Sequence, residues 1–345
     1  MGNSKAYFRV NEFRQEVLDK RNETFERGFD IGFKSAEEYM NLKKGFTSYI
    51  YANPFSGKSS FILNTYIYIA KKYDAKIAIY SPESGGRDAL VSYLCQLVMG
   101  KKLHGKGAQK ATDEEWFEAL DFLDRHFIIL DPPVVGKDAI EFSAKEVFKQ
   151  LSAACKEYWW SLDILLIDPL TMLRKSEEDR KKSIADYILD VLYYFNNIAQ
   201  AWNIHIQIAM HTADMDTTID KDTGIEYIGR PTPNKLHNGQ NVWRTGQLMV
   251  GLWRCPSGVI ERSTGLPYPD NCTDVLVQKN KILGAGEVGS FRLYFDDIKQ
   301  NFYEIIGGKK YYIGEYEAEQ NSKSKTPKSA MQPNIDFGKD LINPF

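Results

Sequence analysis

The segment Ala52-Asn-Pro-Phe-Ser-Gly-Lys-Ser-Ser60 sets a small residue, a glycine, a lysine and a hydroxyl at the spacing G-x-x-x-x-G-K-[ST], with Ala52 in place of the first glycine. Successive backbone N–H groups in such a loop form an anion-binding nest at the start of the next helix. The pattern predicts a phosphate cradle built from Ala52, Asn53, Pro54, Phe55, Ser56, Gly57, Lys58, Ser59 and Ser60. Lys58 would reach the β- and γ-phosphates of ATP, and the Ser59 hydroxyl would ligate Mg²⁺. Such a site also needs a carboxylate at the end of a buried strand to hold the magnesium. Asp163-Ile-Leu-Leu-Ile-Asp168 supplies Asp168, and Pro169 stops the strand. Hydrolysis needs a further carboxylate to orient the attacking water. The run Lys76–Tyr80 leads into Ser81-Pro82-Glu83, which places Glu83 at the carboxyl edge, where open α/β sheets bind ligands.

The elements that must position these groups are legible as alternating runs. Strands are predicted at Phe46–Ala52, Lys76–Tyr80, His126–Leu130, Asp163–Asp168 and Ile204–Met210. Helices are predicted between them at Lys58–Lys72, Arg87–Met99, Asp113–Arg125, Ala144–Trp159 and Lys182–Trp202, with Ser143-Ala-Lys-Glu146 as a capping box. This alternation implies an α/β fold with a mostly parallel sheet covered on both faces. After residue 245, Leu248–Trp253, Val275–Asn280, Ser290–Phe295 and Phe302–Ile305 read as successive antiparallel strands joined by short loops.

Composition bounds the rest. The 345 residues are 43% hydrophobic and 26% charged with a net charge of −2, so there is material for a sizeable core and no bulk basic signal for nucleic acid. A local basic channel is compatible with that average. Cys95, Cys155, Cys255 and Cys272 form no CxxC pair and read as reduced thiols. No signal-peptide core is visible, and no apolar run approaches the roughly 20 residues needed to span a bilayer. The expectation is a soluble cytoplasmic protein with no membrane partner.

Taken in order, these motifs resemble the RecA-fold hexameric replicative helicases of the DnaB type and the phage primase–helicase type, over about residues 27–306. Gly28-Phe-Asp-Ile-Gly-Phe33 and Leu42-Lys-Lys-Gly45 are similar to the family's lead-in to the P-loop strand. Tyr80-Ser-Pro-Glu-Ser84 resembles the motif whose Glu is the catalytic base, and Asp168-Pro-Leu170 sits where the family has its magnesium aspartate. Ile208-Ala-Met-His211 resembles the strand end that carries a γ-phosphate sensor, which implies that role for His211. Gly229-Arg-Pro231 through Leu236 and Gly239 resembles the loop that grips single-stranded DNA in a central channel. The resemblance implies DNA contacts from Lys235, His237, Asn238, Gly239 and Arg244. Lys279-Asn-Lys281 followed by Gly284-Ala-Gly286 resembles the hairpin that reaches across the subunit interface to the neighbour's γ-phosphate. Here Lys281 stands where the family has arginine, and lysine cannot make the forked planar contact.

The resemblance thus implies an ATP- and Mg²⁺-dependent hydrolase that forms a ring, translocates on single-stranded DNA and unwinds duplex in replication. Two other readings stay open: a RecA- or RadA-like recombinase filament, and a nucleotide-switched regulatory or assembly ATPase on the same fold. Residues 1–28 read as a helical arm whose apolar positions around Tyr7–Phe25 would pack on an adjacent subunit, and 29–316 as the RecA-like ATPase domain. Residues 317–345 read as a disordered tail. The acidic, apolar tip ending in Phe345 resembles tails that dock replisome partners. The small size and missing accessory domain point to a bacterial or phage-infected cell.

Overall fold

A computed structural model describes residues 9–12, 14–15, 17–18, 27–101, 110–132, 142–212, 217–236 and 238–325. Six strands form a parallel array: β1 (Thr47–Ala52), β2 (Ile77–Tyr80), β3 (Phe127–Leu130), β4 (Ile164–Ile167), β5 (His205–His211) and β8 (Leu248–Arg254). Every residue of β1, β2 and β4 is buried, as expected of strands covered on both faces, and this is why β2 and β4 read as unbroken apolar runs rather than alternating ones. Four more strands extend the array antiparallel: β9 (Cys272–Asn280), β10 (Gly289–Asp296), β11 (Asn301–Ile306) and β12 (Lys309–Tyr312). Together they make one sheet in the order β12-β11-β10-β9-β8-β1-β5-β4-β2-β3, while β6 (Thr217–Ile219) and β7 (Glu226–Ile228) form a separate hairpin.

The sequence places Leu248–Trp253 among the antiparallel strands, yet β8 runs parallel to β1 and only its other edge meets β9 antiparallel. The excursion between β5 and β8 returns the chain to the amino edge, so β8 enters in the same direction as β1. The β8–β9 connection, residues 255–271, is long and builds a small core of its own around Trp253, Cys255, Val259 and Tyr268.

Helix α1 (Lys58–Tyr73) packs on one sheet face with α2 (Arg87–Met99) and α3 (Asp113–His126), in a core that also takes Ile31, Phe33, Met40 and Leu42 from the lead-in segment. Helices α4 (Ala144–Glu157) and α5 (Ile184–Trp202) cover the other face. Local sequence sets their ends. Thr112 and Glu115 form a full capping box on α3, whereas the box expected at Ser143 is only half made: Ser143 accepts from the Glu146 N–H and no return bond is present among the described residues. Helix α4 stops before Trp159, which sits at φ 57 and cannot extend a right-handed helix.

Short α6 (Gly239–Thr245) precedes β8. Helix α7 (Glu315–Lys325) runs past residue 316, beyond which the sequence predicts a tail, because Glu317 pairs with Lys72 and Glu319 with Lys309 and Lys323. The docking segment ending in Phe345 lies outside the described residues, as do Tyr7, Phe8, Phe13 and Phe25 of the arm. Of the described arm, Val10–Glu12 form a 3₁₀ turn, and Val10, Val17 and Leu18 are exposed. Among the described residues no helix is long and apolar enough to cross a membrane.

Candidate nucleotide site at the carboxyl edge

The parallel strands β1, β5, β4 and β2 lie side by side in that order, so the residues after their carboxyl ends share one edge. From β1 the chain turns through Asn53–Ser56 into α1. Gly57, at φ 80, supplies the left-handed conformation that starts the helix, which an L side chain adopts only at a cost. Asn53, Ser56 and Lys58 are buried, while Pro54 and Phe55 are exposed. Phe55 is 97% exposed and itself left-handed at φ 63. Ser59 is exposed, and the Ser60 hydroxyl turns aside to the Tyr93 hydroxyl at 2.6 Å.

Asp168 stands immediately after β4 and ion-pairs with Lys58, each side chain 8% exposed. The Ser59 hydroxyl donates to the other Asp168 oxygen at 3.3 Å. A lysine, a hydroxyl and a carboxylate thus converge where α1 begins, with the helix's first N–H groups beside them. This donor set suits a magnesium-bound triphosphate. The loop N–H groups and Lys58 would hold phosphate oxygens, and Ser59 with Asp168 would hold the hard cation, whose chemistry is to neutralise charge on the phosphoryl group. Among the described residues there is no cluster of three or more His, Cys, Asp or Glu suited to a metal, so a cation here would lean on phosphate for its remaining ligands.

Glu83 follows β2 in a short 3₁₀ turn, Pro82–Ser84, and is exposed. Its Oε2 lies 3.2 Å from Nε2 of His211 at the end of β5. Two residues separated by most of a domain in sequence therefore touch, straddling the strand that leads to Asp168. Helix α1 is tied to β5 below them: the Tyr66 hydroxyl donates to Gln207 Oε1 at 2.6 Å. Burial and the nearby Asp168 charge push the Tyr66 hydroxyl well above its usual range, so it stays a neutral donor.

The remaining site candidates lie elsewhere. Lys235 closes a 3₁₀ turn, Pro233–Lys235, and Leu236 pairs with Thr212 just beyond β5. His237 lies outside the described residues. Asn238 is left-handed at φ 55 ahead of α6, and Gly239 is held so close that a Cβ there would sit 2.2 Å from the Pro233 carbonyl oxygen. Arg244 is exposed in the last turn of α6. Because β9 is antiparallel to β8, Lys279 lies opposite Met249, at the amino edge and a strand length from the P-loop. Lys279 is buried and donates to the Trp243 carbonyl, with its ammonium 4.8 Å from the Trp243 ring centroid. Burial, with Lys281 adding to it, lowers its pKa. Lys281 is exposed, and its backbone N–H donates to the Gln247 carbonyl at 2.8 Å.

A pair of polar side chains at the site escapes a motif reading. Asn53 donates from Nδ2 to the Gly229 carbonyl at 3.1 Å and accepts from the Thr212 hydroxyl at 2.9 Å. The sequence signals are an amide in the loop and a hydroxyl after His211, neither of which announces a pairing.

The sequence matches no family model and no curated protein. Solved structures share its fold. One, of an ATPase domain, superposes with a TM-score of 0.65 at 16% identity, over 86% of this chain and 98% of that one. A DnaB-like replicative helicase, from a structure that also addresses its interactions with primase, superposes with a TM-score of 0.63 at 16% identity, over 85% of this chain and 68% of that one. At that identity the likeness establishes a RecA-like α/β fold.

Proposed function

We propose that this chain is an ATP-driven DNA helicase subunit that assembles into a ring, translocates on single-stranded DNA and unwinds duplex in replication. The observation that carries the reading is the convergence of Lys58, Ser59, Asp168, Glu83 and His211 on one sheet edge. Lys58 and the P-loop N–H groups bind and orient the phosphates, Glu83 takes a proton from the attacking water, and His211 holds Glu83 and senses the γ-phosphate. The fold shared with a DnaB-like replicative helicase supports the choice of substrate.

In this reading Lys279 and Lys281 serve a neighbouring protomer's nucleotide, since they lie at the opposite edge from their own P-loop. Lys235, His237, Asn238, Gly239 and Arg244 contact DNA, with backbone N–H groups sharing the phosphate contacts. The exposed arm residues Val10, Val17 and Leu18 cover a second copy in a hexameric ring. The tail ending in Phe345 docks a replisome partner, and the working compartment is the cytoplasm.

A forked-substrate unwinding assay tests this, run beside Lys58→Ala and Glu83→Gln. Strong ATPase activity with neither DNA stimulation nor unwinding would sink the helicase reading and spare ATP hydrolysis. Filaments in place of rings by electron microscopy, with ATP and single-stranded DNA, would favour a recombinase. Single-stranded DNA affinity that falls steeply with salt argues against a purely regulatory ATPase.

A further inference from the structure

The excursion from β5 to β8 carries the small β6–β7 hairpin, the Lys235 turn and α6. One P-loop side chain holds it on both sides of the hairpin. Asn53, 5% exposed, spends its carbonyl oxygen on Thr212, at the outgoing root, and its amide on Gly229, at the far end of the hairpin. Thr212, 8% exposed, also pairs through its backbone with Leu236, so the segment closes on itself at the point where Asn53 grips it. Thr212 directly follows His211, which touches Glu83. Hydrogen bonds from Asn53 therefore reach the chain on both sides of the β6–β7 hairpin.

We propose that Thr212 is a positioning residue that links the nucleotide-holding P-loop to the 217–236 segment, so that nucleotide on the loop sets that segment's conformation. The physical basis is that buried polar pairs have discrete arrangements: a shift of Asn53 must either carry Thr212 and Gly229 with it or leave buried groups unpaired. The link deepens the helicase reading, because the segment leads into the candidate DNA loop, and its importance for DNA rests on that reading.

The experiment compares wild type, Thr212→Val and Thr212→Ser as full-length protein. Amide hydrogen exchange of residues 217–236 is followed with and without a non-hydrolysable ATP analogue, and nucleotide affinity and ATPase with and without single-stranded DNA are measured in parallel. Wild type should show slowed exchange on nucleotide binding. Compared at saturating nucleotide, as set by each variant's own titration, Thr212→Val should lose at least about fivefold of that protection, and Thr212→Ser, which keeps the hydroxyl, should restore it. Equal nucleotide-dependent protection in Thr212→Val and wild type, or none in wild type, overturns the link. Protection that depends on Thr212 in a protein whose ATPase ignores DNA would leave the link standing and sink the helicase reading instead.

Discussion

The two edges of the parallel sheet make opposite use of their cations. At the carboxyl edge Lys58 is buried against Asp168, with Ser59, Glu83 and His211 gathered around it inside one protomer. At the amino edge Lys279 is buried too, but its partners are a carbonyl and an indole, and Lys281 next to it is exposed. A carboxylate partner offsets the burial of an ammonium, and an incoming phosphate can replace it charge for charge. Neutral partners offset less, so burial lowers the Lys279 pKa, and within one protomer the ammonium rests on Trp243 of α6. The first edge gathers its polar groups within one protomer. The second becomes part of a site only if another protomer brings a phosphate to it.

The largest effect is expected from Lys58→Ala, which should slow hydrolysis roughly a thousandfold and weaken nucleotide binding, as measured by steady-state ATPase and a nucleotide titration. A variant retaining near wild-type turnover would remove the carboxyl edge as the active site. Glu83→Gln should slow turnover by roughly a hundredfold while leaving nucleotide affinity intact, since it removes a proton acceptor and not a phosphate ligand. Loss of affinity in step with turnover would argue for a structural Glu83.

The amino edge has its own titration. His205 at the start of β5 is fully buried, with Nδ1 2.9 Å from the Lys43 carbonyl oxygen and Nε2 2.8 Å from the Ser48 hydroxyl. Burial pushes its pKa from 6.5 down to about 4. Between those values the unfolded chain takes up a proton that the folded chain refuses, so stability falls as pH drops through that window, by up to about 3 kcal/mol. Denaturation midpoints across the window should show this slope in wild type and a flatter one in His205→Asn; identical slopes would assign the loss to other groups.

The smallest effect is expected from Lys281→Ala, about a tenfold loss of hydrolysis, because lysine is a weaker trans contact than arginine. Mixing Lys281→Ala with Lys58→Ala discriminates sharply. If the edges meet between protomers, mixed assemblies pair an intact P-loop with an intact Lys281 and regain activity above the sum of the separate variants. A strictly additive result would detach the amino edge from catalysis.

Much of the carboxyl edge is legible in the sequence because each group there is announced locally. The P-loop needs a small residue, glycine and lysine at set spacing. Asp168 closes an apolar run, and Glu83 follows another. Strand and helix ends are legible to within a few residues for the same reason, since Ser183 and Thr112 cap their own helices and Asn203 ends one in a left-handed turn. The parallel direction of β8 is not legible. Direction depends on where an intervening segment returns the chain, and an apolar run such as Leu248–Trp253 carries no sign of it. Nor is the extent of α7, whose polar sequence has little apolar face and is tethered by ion pairs to Lys72 and Lys309.

The sequence by itself determined the chemical inventory: a loop of phosphate-binding pattern, a strand-end carboxylate and a buried parallel core, each encoded by neighbours in the chain. The tertiary structure alone decided which of those groups meet. It set Glu83 against His211 across a strand, tied Asn53 to Thr212 and Gly229, and turned Lys279 away to the far edge. Such contacts depend on strand order and direction, which arise from packing the whole sheet, and no local spacing records them.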